Sequence, residues 1–247
     1  MLKSKLLKIV GLIITVVAIV ALILHIKDIP SSPRFINHQI VIAKFKPFDF
    51  KSDSCSQEKF ETSGCPADKA LSDLGCDDFL KPEGYISQIF ESYPVVKCHV
   101  LLKDDSSTKT EGLYRVGGMM PLYARFAVFK PDGWRILKTA KDIRDELPPI
   151  LTKNHALGYA AAATGFSANF GQAYKRGTEY AVDTIEDSYV REIPQGFQVA
   201  LFDEEIFGCG PHWTYLVKLE ISNGGEIREI SRAKVSHETS LDNVCVD

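Results

Sequence analysis

From Ile9 to Leu24 no side chain is charged, and only Gly11 and Thr15 fall outside the aliphatic set. A helix over this stretch is apolar on every face, which suits lipid rather than a protein surface. Leu6, Leu7 and Ile26 extend it to about 20 residues, roughly 30 Å at the helical rise, so residues 6–26 are predicted to cross a bilayer. Lys3, Lys5 and Lys8 precede the run, while Lys27 and Asp28 follow it. That basic excess predicts a cytoplasmic N-terminus. A cleaved signal peptide shares the basic start, but Leu24-His25-Ile26-Lys27-Asp28 offers no small-residue cleavage site. Residues 1–30 therefore read as an uncleaved signal-anchor, and the rest as periplasmic or extracellular. A bacterial inner membrane is the expected setting, since no N-x-S/T acceptor site is present.

Beyond the anchor the pattern changes to short alternating segments. Pro30, Ser31, Ser32 and Pro33 predict an extended stalk over 31–37, and the β-branched and aromatic segment Gln39 to Phe45 predicts a strand. Residues 47–82 are polar and cysteine-rich, with one or two helical turns from Asp68 to Leu74. Two passages then share one order of elements. In the first, a short helix from Glu83 to Ser92 precedes strands at 95–102, 112–116, 122–129 and 134–138. In the second, Thr152 caps a helix that runs to about Thr164 and stops at Gly165. Strands at 184–192, 197–202, 213–221 and 226–231 follow, joined by Pro194-Gln195-Gly196 and Asn223-Gly224-Gly225 turns.

Leu147-Pro148-Pro149-Ile150 separates the passages, because paired prolines enforce extended backbone. The expected organisation is a first α+β part over 38–147, carrying the cysteine-rich insertion, and a second over 150–247. Each is an antiparallel meander packed on a helix, with the other sheet face wet. Pro121 and Pro211 stand in matching places, which raises a distant duplication. The arrangement is similar to cystatin-like and PepSY-like extracytoplasmic modules, without a motif specific to either, and so implies architecture alone.

Charge sharpens the division at residue 30. The chain of 247 residues carries net −3, of which residues 1–30 hold +3 and the remainder −6. An acidic ectodomain lacks the footprint of a nucleic-acid binder. All six cysteines, Cys55, Cys65, Cys76, Cys98, Cys209 and Cys245, fall in the ectodomain, an even number where disulfides persist. Six cysteines allow 15 pairings. Clustering predicts that the first four pair among themselves and that Cys209 pairs with Cys245, stapling the tail.

Cys209-Gly210-Pro211-His212 resembles the Cys-x-x-Cys turn of thioredoxin-like oxidoreductases, with His212 in place of the resolving thiol. The resemblance covers four residues and implies no redox cycle without the second cysteine. A metal site from Cys209, His212, Cys98 and His99 is a second reading, weakened because adjacent strand residues point to opposite faces. A tight turn beside a disulfide is the simpler one.

Other chemistry is sparse. Small side chains from His155 to Gly165 predict close helix packing rather than a docking face. His155 and Tyr159 share a helix face without a carboxylate to match. Glu186-Asp187 and Asp203-Glu204-Glu205 read as solvated strand ends, and Asp104-Asp105 with Glu111 lacks the spacing of a calcium loop. The nucleophile elbow, zinc helix, Walker loop and dinucleotide fingerprint are missing, and Ser167 sits in a loop without assignable partners. Neither a catalytic residue, a cofactor nor a metal is expected. Alternation over 122–129 places Tyr123, Arg125, Ala127 and Phe129 on one face, and if that face is open, Tyr123, Arg125 and Phe129 form a recognition surface.

The expected function is a membrane-anchored extracytoplasmic binding or assembly module, with a protein or small-ligand partner and no nucleic acid. The competing expectation is an anchored hydrolase or metal-dependent enzyme with its site near Cys209 and His212.

Overall fold

The computed structural model describes residues 32–38, 55–90, 93–101, 112–116, 122–147 and 149–246. The membrane segment, the strand expected at 39–45, the Asp104-Asp105 turn and Pro148 lie outside the described residues. Among those described, no helix is long and apolar enough to cross a membrane.

The chain is α+β and mostly antiparallel. In order come β1 (Arg34–Ile36), α1 (Gln57–Thr62), β2 (Cys65–Pro66), α2 (Lys69–Asp73), β3 (Asp78–Leu80) and α3 (Gly84–Ser87), which runs on as a 3-10 turn to Phe90. Then follow β4 (Val95–Leu101), β5 (Tyr114–Arg115), β6 (Leu122–Lys130), β7 (Gly133–Leu137), α4 (Ala140–Glu146) and α5 (Lys153–Thr164). The last part holds β8 (Thr178–Tyr180), β9 (Thr184–Glu186), β10 (Tyr189–Ile193), β11 (Gly196–Glu204), β12 (Gly208–Cys209), β13 (Trp213–Ser222), β14 (Ile227–Glu238) and β15 (Cys245–Val246).

Two sheets carry the fold, ordered β2-β3-β4-β6-β5, with β7 also on β6, and β10-β11-β13-β14-β8. The second has its four main strands in sequence order, as expected of a meander. The first departs from that expectation: β4 pairs directly with β6, and β5 shares the far edge of β6 with β7. The two passages are thus not copies in topology. Residues 34–36, expected in the stalk, pair in parallel with β9.

Helix α5 is as anticipated. Thr152 accepts from the His155 amide, and Gly165 ends the helix at φ +79°. Every residue from Ala156 to Ala162 is buried. The small side chains are there for approach: a Cβ on Gly158 would lie 2.1 Å from the Tyr85 carbonyl oxygen. The same core takes Ile86, Ile89, Val95, Phe126 and Val128 from the first passage and Val199, Leu201, Val217 and Leu219 from the second. The passages on either side of Leu147–Ile150 therefore share one core around α5. Helix α4 was not anticipated, although Thr139 and Asp142 form a capping box that marks its start.

The first sheet is covered on both faces. Phe126 and Val128 face α5, whereas Val96, Cys98, Val100 and Ala127 pack under Phe60, Leu71 and Phe79 of the cysteine-rich segment. That segment is held by Cys55–Cys65 and Cys76–Cys98, and the tail by Cys209–Cys245, where β12 pairs with β15. The pairing follows the expected grouping.

The strand expected over 184–192 is broken at Asp187 and Ser188, both buried. Asp187 turns inward and its carboxylate accepts from the backbone N–H groups of Gly171 (2.7 Å), Gln172 (3.2 Å) and His38 (3.2 Å). The carboxylate is thus spent on three part-buried amides instead of standing in solvent beside the ladder. This carboxylate, read from sequence as a solvated strand end, is a hub for the loop that follows α5.

Candidate functional site

The expected recognition face is closed where it matters most. Phe129 is exposed and Tyr123 half-buried, but Arg125 is 3% exposed. Its guanidinium donates toward the Leu74 and Gly75 carbonyls beyond the end of α2. Positive charge is favourable at a helix C-terminus, so Arg125 secures the bridged segment. Alternation put these residues on one face, and the cysteine-rich segment covers it at Arg125 and Ala127 while Phe129 stays exposed.

The Cys209 turn gathers no ion site. Cys209 and Cys98 belong to separate disulfides, so neither offers a thiolate. His212 places Nδ1 3.0 Å from the Glu205 carbonyl and Nε2 3.1 Å from that of Val244, which engages both ring nitrogens with backbone. His99 Nδ1 faces Asp78 Oδ1 at 2.8 Å. Among the described residues, no group of three or more His, Cys, Asp or Glu side chains is placed to hold a metal.

What the fold does build is a groove of about 780 Å³ at the C-terminal end of α5, between β5 at the edge of the first sheet and the end of β11 within the second. Glu83, Lys97 and residues 114–116 of the first sheet's side form one wall. Residues 202–207 at the end of β11, Tyr215 and Arg232 form the other, with Thr164, Gly165 and Ser167 at the base. Antiparallel bonds between Ser167 and Phe202 fix that base to β11. Gly165 is required twice over. Its φ of +79° is disfavoured for L side chains, and a Cβ there would meet the Tyr114 ring at 2.6 Å. The ring therefore lies against bare backbone at the helix end.

Most charges in the groove are already matched. Lys97 meets Glu83 at 3.4 Å and lies 5.6 Å from the centre of the Tyr114 ring. Arg232 pairs with Asp203 and with both carboxylate oxygens of Glu229 (3.1 and 2.9 Å), while its guanidinium sits 5.4 Å from the Phe166 ring. Hydrogen bonds from Arg232 to Glu229 and Asp203 hold it firmly charged. The Tyr215 hydroxyl donates to Glu205 Oε2 at 3.0 Å. Burial, reinforced by nearby Glu83, pushes the Tyr114 hydroxyl above the usual tyrosine range. It stays a neutral donor, and among the described residues it has no hydrogen-bond partner. Arg115 stacks on Phe207 at 4.1 Å from the ring centre, without a carboxylate partner among the described residues.

Sequence reasoning singled out Asp203, Glu204, Glu205 and Ser167 without seeing that they border one space. It passed over Lys97, Arg115 and Arg232, cations within strands that no motif singles out. Only the pairing of distant strands could have brought them together.

Chemically, the groove offers donors, acceptors and aromatic faces in matched sets. Ser167 has no His or carboxylate in hydrogen-bond contact among the described residues, so no nucleophile–base pair is formed. No family model matches this chain, and no curated protein or solved structure matches it.

Proposed function

We propose that the protein is a membrane-anchored binding module that holds a ligand non-covalently in the groove at the end of α5. Residues 6–26 carry the anchor in this reading, the N-terminus is cytoplasmic, and the bridged domain lies in the periplasm or outside the cell. The observation that carries the proposal is the groove itself: a space of about 780 Å³ lined by fixed charges and tyrosine hydroxyls. Its size lies in the range of small-molecule and cofactor sites.

Two measurements on the full chain test it. Alkaline extraction of membranes should leave the protein in the pellet, and deletion of residues 1–30 should release it. In detergent, a ligand screen by thermal unfolding should find compounds that stabilise the wild type, by about 2.7 kcal/mol at a hundredfold excess over Kd. Ser167→Trp, which fills the groove, should erase that stabilisation. Chemical conversion of the ligand, or stabilisation that survives Ser167→Trp, overturns the reading.

A further inference from the structure

We infer that the ligand of the groove is an extended peptide bearing one acidic and one basic side chain, laid beside the free edge of β5. The inference rests on the binding role proposed above and names its ligand class.

The first support is the strand that forms the wall. β5 is the last strand of its sheet, bonded to β6 on one side, and among the described residues nothing pairs with its other edge. Tyr114 and Arg115 both line the groove. A strand edge beside a groove offers backbone donors and acceptors to an extended chain, the mode of recognition by strand addition.

The second support is the charge left over once internal pairs are counted. Of the three cations in the lining, Lys97 is matched by Glu83 and Arg232 by Asp203 and Glu229. Of the four carboxylates, Glu83 and Asp203 are thereby used, and Glu205 accepts from Tyr215. Arg115 and Glu204 remain, with neither an ion pair nor a side-chain hydrogen bond among the described residues, while Glu205 keeps its charge behind the neutral Tyr215 hydroxyl. Arg115 stems from β5 and Glu204 from the end of β11, and the Arg115 guanidinium reaches across to Phe207. Arg115 is also pre-oriented by Phe207, so little side-chain freedom is lost when a carboxylate docks. A complementary ligand carries a carboxylate and an ammonium or guanidinium group. A nucleotide or polynucleotide brings phosphates but no cation for Glu204, whereas a peptide meets both charges and the strand edge together.

The test uses the full chain in detergent and fluorescent pentapeptide pools, acetylated and amidated so that only side chains carry charge. Two pools have the forms X-Glu-X-Lys-X and X-Lys-X-Glu-X, where X is any residue except cysteine. Matched pools replace Glu, Lys or both by Gln. The expected result is binding of a doubly charged pool at least tenfold tighter than the double-Gln pool. Arg115→Gln should remove the gain due to Glu, and Glu204→Gln the gain due to Lys. Both residues are exposed, so both variants should unfold at the wild-type temperature. Backbone N-methylation of the peptides should weaken binding. Equal binding of all pools, no binding by any, or a charge preference unchanged in both variants overturns the inference. A non-peptide ligand displaced by Ser167→Trp would leave the binding role standing while removing the peptide.

Discussion

Gly158→Ala sets two effects of known sign against each other. In an isolated helix the change is favourable by about 1 kcal/mol, since alanine is the better helix former. Here the new methyl would lie 2.1 Å from the Tyr85 carbonyl oxygen and 2.5 Å from Ile89 Cγ2. The Ile89 methyl can turn aside, but the carbonyl is backbone of α3 and cannot. Relief requires α3 and its 3-10 extension to move off α5 by about an ångström, and a gap of that size forfeits a quarter to a half of the dispersion energy of the atoms involved. The packing at stake is that of Ile86, Ile89 and Phe90 in the core they share with Leu157 and Ala161, all buried. Overpacking of this kind costs about 1–3 kcal/mol and sometimes more. Because the obstacle is main chain, the upper end applies, and the net expectation is a loss of about 2 kcal/mol. For a chain of this size that lowers Tm by about 4–8 °C. Gly84→Ala is the control, since a Cβ there meets nothing within 4 Å, and it should be neutral or slightly stabilising. Thermal and urea unfolding of both variants reads the difference. A Gly158→Ala protein as stable as the wild type would refute the close approach of α3 to α5.

Three further outcomes follow from the geometry. The double change Cys209→Ser with Cys245→Ser opens a bridge between residues 36 apart, which in the chain-entropy model removes about 4 kcal/mol. Urea unfolding should show that loss, and non-reducing peptide mapping of the wild type should find three bridges, any free thiol counting against them. Asp187→Ala leaves the part-buried amides of Gly171, Gln172 and His38 without their acceptor, at a cost of about 1–3 kcal/mol. Hydrogen exchange at Gly171 should then accelerate, and an unchanged rate would show that the carboxylate does not hold the loop. Finally, burial raises the hydroxyl pKa of Tyr85, Tyr114 and Tyr159. Their folded values exceed the unfolded one, so the stability they contribute is complete below about pH 10 and is lost as pH rises through the raised values. Absorbance at alkaline pH should show part of the nine tyrosines titrating late and together with unfolding, whereas complete titration near pH 10 in a folded protein would contradict their burial.

Local signals were legible wherever the residue itself carries the constraint. Thr152 and Gly165 bound α5 because a cap needs a side-chain acceptor at one end and a left-handed residue at the other. The Pro194-Gln195-Gly196 and Asn223-Gly224-Gly225 turns set the hairpins of the second sheet for the same reason. Cysteine clustering predicted which halves of the chain are bridged. The Thr139/Asp142 box was equally local and could have placed α4.

What the sequence could not determine depends on what lies across a face. Alternation fixes that Tyr123, Arg125, Ala127 and Phe129 project together, but it is silent on whether water or protein meets them. The bridged segment decides it by folding over that face and burying Arg125 against the carbonyls beyond α2. A strand pattern likewise cannot say whether Asp187 will continue a ladder or turn inward to three amides. The groove is the extreme case, since its walls come from residues as distant as Glu83 and Arg232, and each is unremarkable alone. The sequence by itself determined the apolar N-terminal segment, the caps, the turns and the grouping of the cysteines, because those follow from neighbours along the chain. Only the tertiary structure decided which faces are covered and which charges are left unmatched, because solvent exclusion and charge pairing depend on segments far apart in sequence.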